Sequence, residues 1–413
     1  MNFINAKLNS YEQVEGTNLY PYYAGFSYKF VKYILNDISD SNITVLDPWA
    51  GTGITNIIAN SLGLQSLGID INPVMTIISK ASLVSETDLQ EISDDFLLHV
   101  NYDDVIESED PLKQWFSEQT SKTLRNIQKF ITSSYSIYKD EFNYYSEVTC
   151  FYLLVLFAIT KKSVKQKFSS SNPTWIKVAK AEDEKITLSK DEIIDLLKNE
   201  LLNCMNKQRK NAHFVSSTKT NFYTASSLAL PIPDNTIDFV LTSPPYCTRI
   251  DYAVSMKPEL AILNFRTNQE FRKLRRNIIG TTTVEKKIVE PQQNWGESCL
   301  GFLDNVKKHE SRASSTYYYK NHTQYFNCMY HSLVEIYRVM KSGGKFILVV
   351  QNSYYKEFLN DIAKYLTEMS LNIGFKLVEQ RDFPIKSISS INKNSIKYKN
   401  LKENFESIII LNK

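Results

Sequence analysis

The chain has 413 residues, of which 43% are hydrophobic and 23% charged, and a formal net charge of +3. Those values describe an ordinary globular chain of one to three domains and exclude a disordered or membrane-embedded one. Near-neutral charge gives no global nucleic-acid footprint, so any basic surface has to be local.

Five scattered cysteines with no Cys-x-x-Cys spacing predict neither a zinc site nor a disulfide framework. No metal is expected. The N-terminus lacks the basic-then-apolar pattern of a signal peptide. The most apolar run, 151–159, is too short to cross a bilayer. Cytoplasm, with no membrane partner, is the expected location.

In chain order, residues 18–35 open with aromatic, Pro- and Gly-punctuated residues and continue with apolar residues at helical spacing. They predict a loop and then a helix. Tyr22 and Phe26 on that loop are candidates to cover a flat ligand. Residues 43–46 read as a buried strand, run into Asp47-Pro48-Trp49-Ala50-Gly51-Thr52-Gly53, and are followed by a helix over 56–62. Strand, glycine loop and helix together form a nucleotide-binding arrangement, with the partial positive charge of a helix N-terminus facing the ligand. A second strand over 66–69 ends at Asp70-Ile71, an acid placed to take both hydroxyls of a ribose.

The absence of Gly-Lys-Ser/Thr after the glycines excludes a Walker loop. Asp47 would repel a pyrophosphate but attract the ammonium of a methionine moiety. The loop therefore predicts S-adenosylmethionine. Asp47, Pro48, Ala50, Gly51 and Gly53 are expected at its methionine end, Asp70 at the ribose, and Ile71 with Tyr22 and Phe26 at the adenine.

Residues 86–110 hold ten Asp or Glu and no Lys or Arg, an acidic face expected in solvent. Residues 112–160 read as helical, with Trp115, Phe116, Leu124, Ile127, Phe130 and Ile131 at helical spacing and 151–159 as a buried helix centre. From 161 to 180 the charge inverts to six Lys and no acid, around a Ser- and Asn-rich loop ending in Trp175. Lys165, Lys167 and Trp175 suit phosphate contacts and a stacking or wedging side chain. The plainer reading is a surface loop with its Trp packed inward. A helix is expected over 189–211.

Strand character returns at 221–226, and a turn at 231–234 leads to a strand over 237–241. The next residues are Thr242-Ser243-Pro244-Pro245-Tyr246. Two prolines cannot donate to a ladder. They fix a rigid loop at a strand's carboxyl end, where open α/β sheets place their sites. Arg249 follows closely. Residues 255–325 are an irregular, mildly basic insert in which Arg272 and Arg275 are candidate nucleic-acid contacts. A helix (326–340), a turn (341–345), a strand (346–350), a helix (355–373) and a closing strand pair (375–383 and 407–411) complete the chain.

Two stretches together resemble a family. Asp47-Pro48-Trp49-Ala50-Gly51-Thr52-Gly53 looks like the cofactor motif of amino-directed DNA methyltransferases. Thr242-Ser243-Pro244-Pro245-Tyr246 looks like their catalytic motif, which usually begins with Asp in adenine-N6 enzymes and with Ser in cytosine-N4 enzymes. Residues 20–26 resemble, less closely, the family's cofactor-covering motif, and 336–344 its helix-to-strand turn.

The resemblance implies an α/β fold with a Rossmann-like methyltransferase sheet, helices on both faces, and a largely helical insert. Residues 1–84 would be the cofactor-binding half. Residues 85–220 would be the helical, target-recognising insert, and 221–413 the catalytic half with a smaller insert at about 255–320. The implied reaction is methylation of cytosine N4 in duplex DNA, with adenine N6 or an RNA amine as the alternatives. Ser243, Pro244, Pro245 and Tyr246 would be catalytic, and a cognate restriction endonuclease is the partner such a system suggests. A C5-cytosine enzyme would need a Cys directly after a proline, and a deaminase would need zinc ligands; neither pattern is present.

Overall fold

Strands β1 (Thr44–Asp47) and β4 (Ile237–Thr242) are buried along most of their length. This is what a nearly continuous apolar run becomes in a parallel sheet covered on both faces. In the computed structural model, described over residues 19–21, 27–38, 40, 42–134, 142–171, 175–211, 215–247, 250–266, 269–287, 289–385 and 404–413, they pair in parallel with each other. On the other side of β1 come β2 (Gln65–Asp70) and β3 (Thr220–Thr224), also parallel. Beyond β4 come β5 (Met340–Gln351) and an antiparallel pair whose members are numbered in chain order after the short hairpin β6 (Ser353–Tyr355) and β7 (Phe358–Asn360). These are β8 (Lys376–Pro384) and β9 (Phe405–Asn412).

The sheet order is β3-β2-β1-β4-β5-β9-β8. The chain walks outward from β1 to β3 and then returns to β4 on the other side. That reversal leaves a crevice above the carboxyl ends of β1 and β4, where open α/β sheets bind ligands.

Successive strand residues feed opposite faces, as the two-residue period requires. Val45, Phe239, Leu241, Ile347 and Val349 join helices Tyr28–Leu35 and Ile54–Ser61 on one face. Leu46, Val240, Phe346, Leu348 and Val350 join helices Tyr319–Val339 and Ile362–Ile373 on the other. Helix Pro73–Ala81 carries the sheet's core into the large insert, where Val74, Ile77 and Ile78 join one cluster with residues of helix Glu147–Phe168. That helix is buried along its centre, from Thr149 to Phe157, as its apolar run predicted.

The structure corrects several expectations. Trp115 and Phe116 are not helical. They follow a turn of 3₁₀ helix at Pro111–Gln114, and Phe116 bridges Ile186 in an extended pairing. The indole of Trp115 donates to the Lys177 carbonyl at 2.7 Å, so its anchor lies far away in sequence rather than along a helix. Helix Glu118–Ser134 begins only afterwards. The turn expected at 341–345 is absorbed into β5, and a register shift against β4 between Ile237 and Phe239 takes up the extra residues. Residues 353–360 form the hairpin β6–β7, and the helix expected from 355 starts at Ile362 behind its Asp361 cap. Among the described residues no helix is long and apolar enough to cross a membrane.

The acidic stretch is not wholly solvated either. Asp110 is buried, as is its partner Arg125. The guanidinium binds Asp110 through Nε at 2.7 Å and also donates to the carbonyls of Ala261 and Ile262 at 2.7 and 2.6 Å. It therefore ties the helical insert to helix Lys257–Ile262, just beyond the catalytic-type loop. Removing one partner of such a buried pair costs about 3–5 kcal/mol, because it strands an uncompensated charge. Arg125→Met is expected to lower unfolding stability by that amount in a denaturant titration, whereas a surface control such as Lys113→Met, whose partner Glu118 is exposed, should shift it by less than about 1 kcal/mol.

Candidate active site

The crevice at the sheet's reversal is a pocket built from three stretches distant in sequence. The β1 loop contributes Asp47, Pro48, Trp49, Ala50, Gly51 and Thr52, the tip of β2 contributes Asp70 and Ile71, and the β4 loop contributes Ser243 to Tyr246. The structure thus brings both loops and the second-strand acid together in one pocket.

Local structure explains the positions. Ala50 N–H donates to the Ile69 carbonyl at 2.9 Å, and Gly51 N–H to Asp70 Oδ2 at 3.1 Å, so the β1 loop is folded against the β2 tip. Thr242 Oγ1 donates to Asp47 Oδ1 at 2.5 Å and locks the β1 loop to the β4 loop. Gly53 has φ +79°, and an added Cβ would stand 2.8 Å from Ser79 and Phe222. It permits close packing behind the loop and is not among the pocket-lining residues.

The two acids share an uncommon environment. Asp47 accepts from Thr242 and from the Trp49 N–H, and Asp70 accepts from the N–H groups of Gly51 and Asn72. Neither makes an ion pair among the described residues. Burial pushes Asp47 up to about 6 and Asp70 up to about 7. Each oxygen of Asp70 that the sequence assigned to a ribose already takes one backbone N–H, which leaves one lone-pair direction each.

The donor set is therefore two buried carboxylates held by neutral groups and lacking a cation. Trp49 adds an indole N–H that is buried without a partner in the same wall. This fits a ligand that is positively charged and bears hydroxyls and a polar heteroaromatic edge, as S-adenosylmethionine does. Among the described residues no group of three or more His, Cys, Asp or Glu could hold a metal ion.

The β4 loop is braced from sequence positions that carry no motif. Tyr246 N–H donates to Tyr252 Oη at 3.2 Å, and Tyr325 Oη donates to the Pro245 carbonyl at 3.1 Å. Gly280, at φ +81°, lies so close that an added Cβ would be 2.4 Å from the Tyr246 carbonyl oxygen. Beyond the predicted residues, Ser226, Ser227, Asn72, Met75, Met256, Asn277, Ile278 and Ile279 also line the pocket. Ser226 was findable, since it stands two residues past a parallel strand's carboxyl end. Ile278 and Ile279 were not, because they return to the site only through tertiary packing. Ser243 to Cys247 also border a second, smaller cavity lined by Tyr325, Val350, Gln351, Ser353 and Ile362.

The expected nucleic-acid contacts scatter. Trp175 is 40% exposed and Lys165 is exposed. Lys165 and Lys167 lie on helix Glu147–Phe168, not on a loop, and Lys167 pairs with Glu184 at 2.8 Å. Arg272 is exposed on helix Glu270–Asn277. Arg275 on the same helix turns inward and binds buried Asp251 through Nε at 2.8 Å. Arg275 is thus a brace of the loop region, which corrects its expected role as a phosphate contact. Tyr22, Phe26 and Arg249 lie outside the described residues.

Two outcomes test this geometry. Gly280→Ala has to displace the Tyr246 carbonyl, and an ångström of misplacement near reacting groups costs on the order of 10²-fold in rate. The variant should keep donor binding and lose turnover by about that factor.

The second outcome is a pH dependence. Both folded-state pKa values lie above the ordinary carboxylate value near 4. The folded protein therefore binds more protons than the unfolded chain between about pH 4 and 7. These acids then lower stability as pH rises through that window. Asp70→Asn removes one of them, so the Tm of the variant minus that of the wild type should grow between pH 5 and about 7.5. A flat difference would sink the assignment.

Comparison with known proteins agrees with the site. The DNA methylase (N6/N4) family matches residues 3–80 and 237–413, which is most of the chain outside the helical insert. The type II methyltransferase M.BsoBI of Geobacillus stearothermophilus is 25% identical over 432 aligned residues, spanning 91% of this chain and 82% of that protein. M.AvaI of Nostoc sp. (strain PCC 7120) is 24% identical, spanning 87% and 78%. Among solved structures, a geranyl diphosphate methyltransferase in complex with GPP and sinefungin aligns at a TM-score of 0.33 with 7% identity, covering 94% of this chain and 78% of that one, a likeness too slight to add to the sheet order itself. With the cofactor-type loop, the Ser-Pro-Pro-Tyr loop and the family match in agreement, this chain belongs to the N6/N4 DNA methylase family, whose methyl donor is S-adenosylmethionine.

Proposed function

We propose that this chain is a site-specific methyltransferase that moves a methyl group to the exocyclic N4 of cytosine in duplex DNA, as the modification half of a restriction–modification or related defence system. The observation that carries the choice of base is Ser243 at the head of the Pro-Pro-Tyr loop, where adenine-N6 relatives usually have an acid. Ser243 shares its pocket with two carboxylates that lack a cation. A cognate restriction endonuclease belongs to this reading, and so does the cytoplasm, where host DNA is.

When bound, S-adenosylmethionine supplies an electrophilic methyl group on a positively charged sulfur. Asp47 and Asp70 attract that cation and orient it through the ammonium and the ribose. An exocyclic amine is a weak nucleophile because its lone pair is spread into the ring. Ser243 Oγ and the Pro244 carbonyl accept the amino hydrogens and pull N4 toward tetrahedral geometry, which frees the pair. That freed pair would take the donor's methyl group, and Ser243 would let one amino proton leave past it to water. Pro245 keeps the loop rigid, and Tyr246 stacks on a base taken out of the duplex.

That Ser243 to Tyr246 line the same pocket as Asp47 and Asp70 supports this reading, since it sets the loop beside the donor's place. In the same proposal the helical insert at 85–220 reads the target sequence, with Trp175 and Lys165 as its exposed groups and Lys167 and Arg249 nearby in sequence to the two regions concerned.

Nucleoside mass analysis of DNA from a host expressing this chain should find N4-methylcytosine. N6-methyladenine in its place would overturn the choice of base, and methyl transfer to tRNA but not to duplex DNA would overturn the substrate. Ser243→Ala and Tyr246→Ala should each lower turnover by about 10²-fold or more while leaving donor affinity intact.

A further inference from the structure

The smaller insert presents a second feature at the pocket mouth. Helix Glu270–Asn277 buries Phe271 and Leu274 and turns Arg275 inward onto Asp251. At 100° per residue, its opposite face consists of Arg272, Lys273, Arg276 and Asn277, and all four are exposed. Asn277 itself lines the donor pocket, and the next two residues continue the pocket wall. The outer face of this helix thus carries three cations and ends at the site, with one acid, Glu270, in its first turn accepting from the Arg266 N–H at 3.0 Å.

Among the described residues neither Arg272 nor Lys273 makes an ion pair, and Arg276 reaches Glu285 only at 4.0 Å. Behind the helix, Lys257 is wedged beside the rings of Trp115 and Phe271, 5.8 and 5.3 Å away, one residue after pocket-lining Met256. Burial and the nearby Arg275 lower its pKa to about 8. Cations gathered this way repel one another, and among the described residues Arg272, Lys273 and Lys257 make no ion pair, an arrangement an anion would relieve.

The larger insert, which looked the more basic in sequence, has spent much of its charge internally. Lys161 pairs with buried Glu259 at 2.5 Å, Lys167 with Glu184, and Lys180 with Glu182.

We propose that the outer face of helix Glu270–Asn277, through Arg272, Lys273 and Arg276, holds the backbone phosphates that flank the nucleotide entering the pocket. The inference rests on duplex DNA being the substrate. Phosphate contacts of this kind fix register and carry no sequence information, which leaves the reading of bases to the helical insert. Arg275 locks the same helix to Asp251, and Asp251 Oδ1 caps the turn bearing Tyr252 by accepting from Val254 N–H at 3.1 Å. A phosphate seated on this face would therefore be registered against the loop that holds the base.

The test is the salt dependence of binding to a fluorescein-labelled duplex that contains the base methylated by the wild type. Each phosphate neutralised contributes a slope of about 0.9 to log K against log[salt]. Arg272→Gln/Lys273→Gln should make the slope shallower by about 2, with donor affinity unchanged. The single variants should each give about half of that. An unchanged slope in the double variant, with donor binding intact, overturns the proposal. The same shift appearing instead in Lys162→Gln/Lys165→Gln moves the contact to the large insert and also overturns it. Failure of the wild type to bind duplex DNA at all would defeat the DNA reading itself, a different result from an unchanged slope.

Discussion

The hydrogen bond from Thr242 to Asp47 is the joint on which the site depends. It spans 195 positions in sequence and joins the last residues of two adjacent parallel strands. Both partners are almost wholly buried. Because β1 and β4 flank the sheet's reversal, no helix or strand fills the space above them. The chain uses that space for two loops, one carrying carboxylates for a cationic donor and the other a serine and an aromatic face for an amine. Holding Asp47 in place orients the donor end of the pocket, and anchoring Thr242 sets where Ser243 begins. One contact therefore ties the two loops that line the pocket to each other.

The rest of the catalytic side is a set of braces on a loop that cannot brace itself. Two prolines remove two backbone donors, so the loop has to be held from outside. Tyr252, Tyr325 and Gly280 do this from three directions: one accepts the Tyr246 N–H, one donates to the Pro245 carbonyl, and one makes room for the Tyr246 carbonyl. Arg275 and Asp251 hold the segment that carries Tyr252. Arg125 holds helix Lys257–Ile262 to the helical insert through its last carbonyls.

The charge distribution follows the same division. The cofactor side gathers carboxylates and excludes cations, which keeps it attractive to a sulfonium and an ammonium. The exposed cations Arg272, Lys273 and Arg276 sit on a separate helix, Glu270–Asn277. A net charge of +3 over the whole chain conceals this separation.

Much of the fold was legible in order along the chain. Apolar runs of four to six residues ending in an acid, glycines or prolines identified β1, β2 and β4 with their loops, because buried parallel strands and their terminal loops have local chemical signatures. The closing strand pair and the buried centre of helix Glu147–Phe168 were legible for the same reason. The partners of charged and aromatic residues were not. Trp115 looked helical and is anchored on Lys177, Asp110 looked solvated and is clamped by Arg125, and Arg275 looked like a phosphate contact and neutralises Asp251. A residue's own periodicity says which face it lies on, but not what the rest of the chain has placed opposite it. The sequence by itself therefore determined the motifs, the donor class and the family, since these are written in contiguous residues. Only the tertiary structure decided which cations remain available, which segment braces the catalytic-type loop and where the pocket opens, because each of these is a meeting of residues that no contiguous motif joins, such as Tyr325 with Pro245, 80 positions apart.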